Sequence, residues 1–188
     1  MSRQSGKTDV RKGGFILTYS GQMFWPLDPR PEEILPEDIA HALANLCRYT
    51  GHSRSYYSVA EHSCYVSDYA PKRDQFWGLL HDASEAYLGD LARPTKEAHA
   101  SFALAYRQAE IRLMRAVCVR FDLAFEMPAS VAVLDNRVLE TEAAQLMRPI
   151  PGRRSWVGCR PIKGLVIAAW APLRAEREWL ERFERLSA

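Results

Sequence analysis

The spacing of apolar and polar positions predicts helices along most of this chain. PEDIAHALANLCR (36–48) places Ile39, Leu43 and Leu46 on one stripe at helical period, and Pro36 suits a first helical turn. Gly51, in RYTGHSRSYY, interrupts that pattern. Ser58-Val59-Ala60-Glu61 has the form of a capping box, which predicts a helix starting at Ser58 and carrying Val59, His62 and Val66. Asp74 is placed to cap the next helix, with Phe76, Trp77, Leu79, Leu80 and Ala83 as its buried surface and Gly89 as its end. A long helix follows from about Lys96 toward Val119, presenting Phe102, Leu104, Ile111, Leu113 and Val117. Another spans 127–147 with Val131, Leu134, Val138 and Leu139, and a last begins near Pro172 with Leu173, Leu180, Phe183 and Leu186. Ahead of them, FILTYSGQMFWPL (15–27) has β-favouring residues on both sides of Ser20-Gly21, a short hairpin with a two-residue turn. The stretch holding Pro26, Pro29, Pro31 and Pro36 reads as a loop, as does PIPGRRSWVGCRPIKG (149–164). The expected fold class is all-α, a helical bundle with a small N-terminal β-hairpin, without the strand–helix alternation of a parallel α/β sheet. The expected organisation is a disordered tail over 1–14 and one domain over 15–188.

Composition narrows the picture without adding a function. The 188 residues suit one domain, and a 47% apolar share is enough for a core. A net charge of +2 gives no strong pull toward nucleic acid or membrane, so neither is expected as a partner. The longest apolar run, LVIAAWAP (165–172), is too short to span a bilayer, and MSRQSGKTDVRKGG at the start lacks a signal-like apolar segment. Cys47, Cys64, Cys118 and Cys159 form no C-x-x-C pair, which argues against a zinc knuckle or a disulfide framework. A reduced, cytoplasmic setting is the expectation.

The candidate chemistry sits in LLHDASEAYLGDLARPTK (79–96). A neutral imidazole and a carboxylate are both good ligands for divalent first-row metals, and His81 and Asp82 stand side by side after two leucines. Further ligands must come from elsewhere. His62 lies among the apolar positions of its helix, and Asp135 follows Val-Leu in AVLDNRVLE. A buried carboxylate costs several kcal/mol unless paired or metal-bound. Each residue also has an ordinary reading: His62 as a hydrogen-bonded core residue, His81-Asp82 as surface, Asp135 as solvated or paired with Arg137. Glu85, three and four residues past the pair, shares its helical face and can handle a water or its proton; otherwise it is a surface partner. Asp90, just after Gly89, is either an acid–base group at the mouth of a site or a turn residue. Arg48, Arg93 and Lys96 supply charge for an anionic substrate, or are simply solvated.

These residues together resemble the HD-domain superfamily of metal-dependent phosphohydrolases. The match is closest to its 5′-deoxynucleotidase branch: Glu61-His62, then H-D-A-S-E-x-x-x-G-D at 81–90, then Pro94-Thr95-Lys96, over roughly residues 36 to 147. TYSGQMFWPLDPRPEEILPEDIAHAL and LDNRVLETEAAQLM are also similar to a bacterial and phage subgroup that includes deoxyadenosine triphosphate triphosphohydrolases. The resemblance implies a metal held by His62, His81, Asp82 and Asp135. It implies Glu85 and Asp90 as the proton-handling pair, and Arg48 and Lys96 on phosphate. Tyr49 would border the sugar, where the branch has tryptophan. One divalent transition metal is expected per site, from among Co, Mn, Zn, Fe and Ni. A deoxynucleotide is the expected substrate, a homo-oligomer (dimer or hexamer) the expected assembly, and the cytoplasm of a bacterium or a phage-infected host the expected location.

Three functions are compatible with this reading. The first is hydrolysis of a deoxynucleoside 5′-monophosphate. The second is release of triphosphate from a dNTP, dATP among them, with Arg93 and Gly152-Arg153-Arg154 extending the phosphate pocket. The third is a non-catalytic nucleotide-binding module; keeping four ligands and Glu85 together argues against it.

Overall fold

The structure, a computed structural model, describes residues 10–153 and 155–188. Helix makes up 57% of the chain, and the sheet present is a two-stranded antiparallel hairpin near the N-terminus, so the molecule is mainly helical with a small β element. No helix among the described residues is long and apolar enough to cross a membrane.

The hairpin joins β1 (Ile16–Leu17) to β2 (Met23–Phe24), with Ile16 opposite Phe24 and Leu17 opposite Met23. Its turn is longer than the predicted two residues. The Thr18 amide donates to the Gln22 carbonyl, leaving Tyr19, Ser20 and Gly21 to turn the chain. Gly21 takes a φ of +85°, the left-handed position that closes a three-residue hairpin loop. Part of the expected tail is anchored: the Arg11 guanidinium reaches Asp28 and Glu33 at 3.1 and 2.5 Å. The rest of that tail, residues 1–9, lies outside the described residues.

The helices are α1 (Pro36–Asn45), α2 (Val59–Tyr69), α3 (Gln75–Leu80), α4 (Glu85–Leu88), α5 (Arg93–Glu97), α6 (Ala100–Arg120), α7 (Ala129–Leu146) and α8 (Pro172–Ser187). Helix α8 packs on α1, α2 and α3, while α7 packs on the other side of α2. The first core gathers Ile39, Leu43, Val59, Leu79, Leu80, Leu113 and Trp179, and the second gathers Tyr57, Val66, Trp77, Val131, Leu134 and Val138. Helix α2 is therefore buried along nearly its whole length, from Val59 to Ser67.

Five local expectations are corrected. Ser58 does cap α2, accepting the Glu61 amide at 3.1 Å, but the Glu61 carboxylate does not return to complete the box. It accepts instead from the Ala169 and Trp170 amides and the Tyr65 hydroxyl, pinning the 165–170 segment to α2. Asp74 makes no cap bond; its carboxylate accepts from the Ser130 hydroxyl at 2.6 Å, linking α3 to the start of α7. The helix predicted from Asp74 to Gly89 is two, α3 and α4, because residues 81–86 take tighter i→i−3 bonds: Ala83 to Leu80, Glu85 to Asp82, Ala86 to Ala83. On α6, Phe102, Leu104 and Ile111 are exposed, and the buried stripe is Ala109, Leu113, Ala116 and Val117. The same displacement affects α8, where Leu173 is exposed and Trp179 is enclosed.

Candidate metal centre

Two helices must approach closely to build this centre, and Gly78 lets them. A Cβ on Gly78 would stand 3.1 Å from the Ser67 Cα and 3.2 Å from its nitrogen, so α3 lies directly on the backbone of α2. The approach sets His81, just past the end of α3, against His62 in the middle of α2. Their Nε2 atoms are 3.2 Å apart.

Both Nδ1 atoms are already occupied. His81 Nδ1 lies 2.8 Å from the Gly78 carbonyl, which can only accept, and His62 Nδ1 lies 2.6 Å from a Glu142 carboxylate oxygen. These partners assign the proton to Nδ1 on each ring. With both rings neutral, two Nε2 lone pairs would face each other across 3.2 Å, a repulsion that either a proton shared with the neighbouring carboxylates or a metal ion relieves.

Carboxylates complete the cluster. Asp135 Oδ1, from α7, is 3.1 Å from His62 Nε2. Asp82 Oδ2 is 3.1 Å from His81 Nε2 and 3.7 Å from His62 Nε2. His62, His81 and Asp135 form a group whose ligand atoms all lie within 4.8 Å of one another and which can hold a metal ion; Asp82 borders it. Two imidazoles with two carboxylates are a donor set that fits a divalent first-row metal.

Electrostatics agree with the geometry. Burial opposes charge on His81, yet Asp82 against its ring and Asp135 nearby raise it to about 9. Burial likewise penalises the Asp82 and Asp135 carboxylates, but the histidines and, for Asp82, Arg48 hold both below the usual range. The cluster thus favours added positive charge, whether a proton or a metal ion supplies it.

Around the cluster lies a second ring of groups centred on Glu142, which is fully buried. One of its oxygens accepts from His62 Nδ1 and from the Tyr57 hydroxyl at 2.7 Å. The other accepts from the Tyr49 hydroxyl at 2.5 Å and stands 3.3 Å from Arg48 Nε. Although burial works against it, Arg48, His62 and Tyr49 hold Glu142 down to about 2. Arg48 also comes within 3.7 Å of Asp82 through Nη1. Arg48 and Tyr49 reach inward from a turn in which Tyr49 and Thr50 both take left-handed φ values of 55° and 53°. Such values cost about 1–2 kcal/mol per non-glycine residue and occur where surrounding contacts impose them.

Glu85 and Asp90 flank the same space. Glu85 is buried, and one of its carboxylate oxygens has no hydrogen-bond partner; the other is 3.5 Å from Lys96 Nζ. Burial, then Asp82 and Asp90, push Glu85 well above the usual carboxylate range. Burial also raises Asp90, with Arg48 and Lys96 opposing. Lys96 is held by Glu110 at 2.9 Å.

Of the residues singled out in the sequence, His62, His81, Asp82 and Asp135 converge, and Glu85, Arg48 and Tyr49 surround them. Tyr49 directs its hydroxyl to Glu142. Arg93 is exposed at the first position of α5, and no hydrogen bond or ion pair among the described residues ties it to the centre. Arg137 reaches the Arg160 carbonyl rather than Asp135. Arg154 lies outside the described residues. Sequence reading passed over Glu142, Tyr57 and Gly78. Glu142 had a signal: it is seven residues after Asp135, two turns along the same helical face.

No family model matches the chain. It is 33% identical over 132 residues to the uncharacterized protein YfdR of Escherichia coli (strain K12), an alignment that covers 70% of this chain and 72% of that one. It is 39% identical over 121 residues to an uncharacterized protein of Rhodobacter capsulatus, covering 60% of each. The chain belongs to the same family as YfdR.

Proposed function

We propose that this protein is a metal-dependent phosphohydrolase of the HD type that removes the 5′ phosphate of 2′-deoxynucleoside monophosphates. The observation that carries the reading is the pair of facing Nε2 atoms with Asp82 and Asp135 beside them. His62, His81, Asp82 and Asp135 would hold the ion, one of Co, Mn, Zn, Fe or Ni. Such an ion supplies positive charge that polarises a phosphoryl oxygen.

The other roles belong to side chains. The unpartnered oxygen of Glu85 accepts a hydrogen bond from the attacking water and takes its proton. Arg48 and Lys96 offset charge on the phosphoryl oxygens. Asp90, on the other side of the same space, gives a proton to the departing 5′ oxygen. Release of a single phosphate is favoured over triphosphate because neither Arg93 nor Arg153 is directed to the centre. Arg93 is exposed, and Arg153 donates to the Ser155 and Trp156 carbonyls of its own loop.

The test is to incubate the protein with Mn²⁺ or Co²⁺ and each dNMP and dNTP, and to identify the product. Phosphate released from dNMPs, abolished by chelator and by Asp82→Ala, supports the reading. Triphosphate released from dNTPs moves the activity to the longer substrate, and no product from any nucleotide overturns it.

A further inference from the structure

The loop over 149–164 has no helix or strand among its described residues, yet it is tightly fastened to α7. Glu140, itself buried, accepts from the Ser155 hydroxyl at 2.6 Å and from the Val157 amide. The Ile162 amide donates to the Thr141 hydroxyl at 2.9 Å. Two buried polar side chains of α7 thus order a loop that places Ile162 in the second core. The helix that fastens it also carries Asp135 and Glu142.

The fastening fixes Trp156 at the edge of the centre. Its ring lies 5.8 Å from that of Tyr49, edge to face at 83°. On its other contact the Tyr49 ring meets the Arg48 guanidinium at 5.5 Å, and Arg48 meets Asp82. A continuous line of contacts therefore runs from a candidate metal ligand through Arg48 and Tyr49 to a half-buried indole. The inner end of that line is charged and suits a phosphate. The outer end is an aromatic ring on a backbone that hydrogen bonds fasten, which suits a planar heteroaromatic group.

We propose that Trp156 is the surface against which the base of a bound nucleotide stacks. The proposal rests on the phosphohydrolase reading for the place of the phosphate and adds the element that recognises the rest of the substrate. Stacking on an aromatic side chain tolerates any base, because every base has a π-face. The loop therefore favours nucleotides over base-free sugar phosphates without selecting one nucleobase.

The experiment compares wild type, Trp156→Ala and Trp156→Phe in calorimetric binding of two probes. The four deoxynucleosides carry a base and no phosphate to cleave, and 2-deoxyribose 5-phosphate carries the reverse. Trp156→Ala is expected to weaken deoxynucleoside binding about tenfold, Trp156→Phe to restore most of it, and the sugar phosphate to bind all three proteins alike. Equal weakening of both probes means that the ring only braces the loop and overturns the proposal, as does no weakening of either. Phosphate release by the wild type is scored in parallel. Base-dependent binding without release leaves stacking in place and removes the hydrolase reading, and release without dependence on Trp156 does the opposite.

Discussion

Replacing Glu142 by glutamine changes one oxygen to an NH₂ group and puts the whole centre at risk. One carboxylate oxygen accepts from His62 Nδ1 and the Tyr57 hydroxyl, and the other accepts from the Tyr49 hydroxyl and forms an ion pair with Arg48 Nε. Glutamine can accept on only one side. If its NH₂ group faces His62, that ring must accept at Nδ1 and carry its proton on Nε2, which removes a ligand. If the NH₂ group faces Arg48, a buried guanidinium loses its main counter-charge. The first outcome costs metal affinity, about 10–100-fold for loss of such an outer partner. The second costs stability, about 3–5 kcal/mol when a buried pair loses one member. Manganese binding by calorimetry and chemical denaturation of the chelated protein measure the two. The expected result is at least one of these losses at full size. A Glu142→Gln protein with wild-type affinity and with stability within about 0.5 kcal/mol would refute the assignment of His62 as a ligand oriented by Glu142.

Two further outcomes follow from the same geometry. Gly78→Ala forces a methyl group against the Ser67 backbone at 3.1 Å, an overpacking worth about 1–3 kcal/mol. It is expected to weaken metal binding although no ligand changes; unaltered affinity by calorimetry would show that the closeness of α2 and α3 is not what pairs the histidines. Glu85→Gln is expected to abolish turnover yet raise the melting temperature of the chelated protein at neutral pH, by about 2–4 °C for each kcal/mol recovered. The sign follows from burial: a carboxyl raised in the folded state opposes folding once pH exceeds its unfolded value of about 4.3, so the gain should vanish as pH falls toward that value. A gain that persists in acid would assign it to something other than charge.

Much of the helical framework is legible in the sequence because its signals are local. Pro36, Ser58, Gly89 and Pro172 stand at or next to the observed helix ends, and the apolar period of α7 names its buried face. The division of α3 from α4 is not legible. It depends on tight turns at residues 81–86, which no side chain there announces. On α6 the expected Leu113 and Val117 do pack inward, but Ala109 and Ala116 complete the buried face while Phe102, Leu104 and Ile111 remain outside, so side-chain size misleads there. At the centre, the four converging residues are suggested by their residue types. What holds them in place is tertiary: the missing Cβ of Gly78 against Ser67, and a Glu142 carboxylate shared by donors up to 93 positions away. Such partners carry no short-range pattern.

The most direct measurement is an anomalous-scattering map from crystals grown with Co²⁺ and recorded on either side of the cobalt absorption edge. The account expects one edge-dependent peak per chain, bonded to Nε2 of His62 and of His81 and to carboxylate oxygens of Asp82 and Asp135. A fully ordered cluster with no peak, or with cobalt found only at other sites, would contradict it.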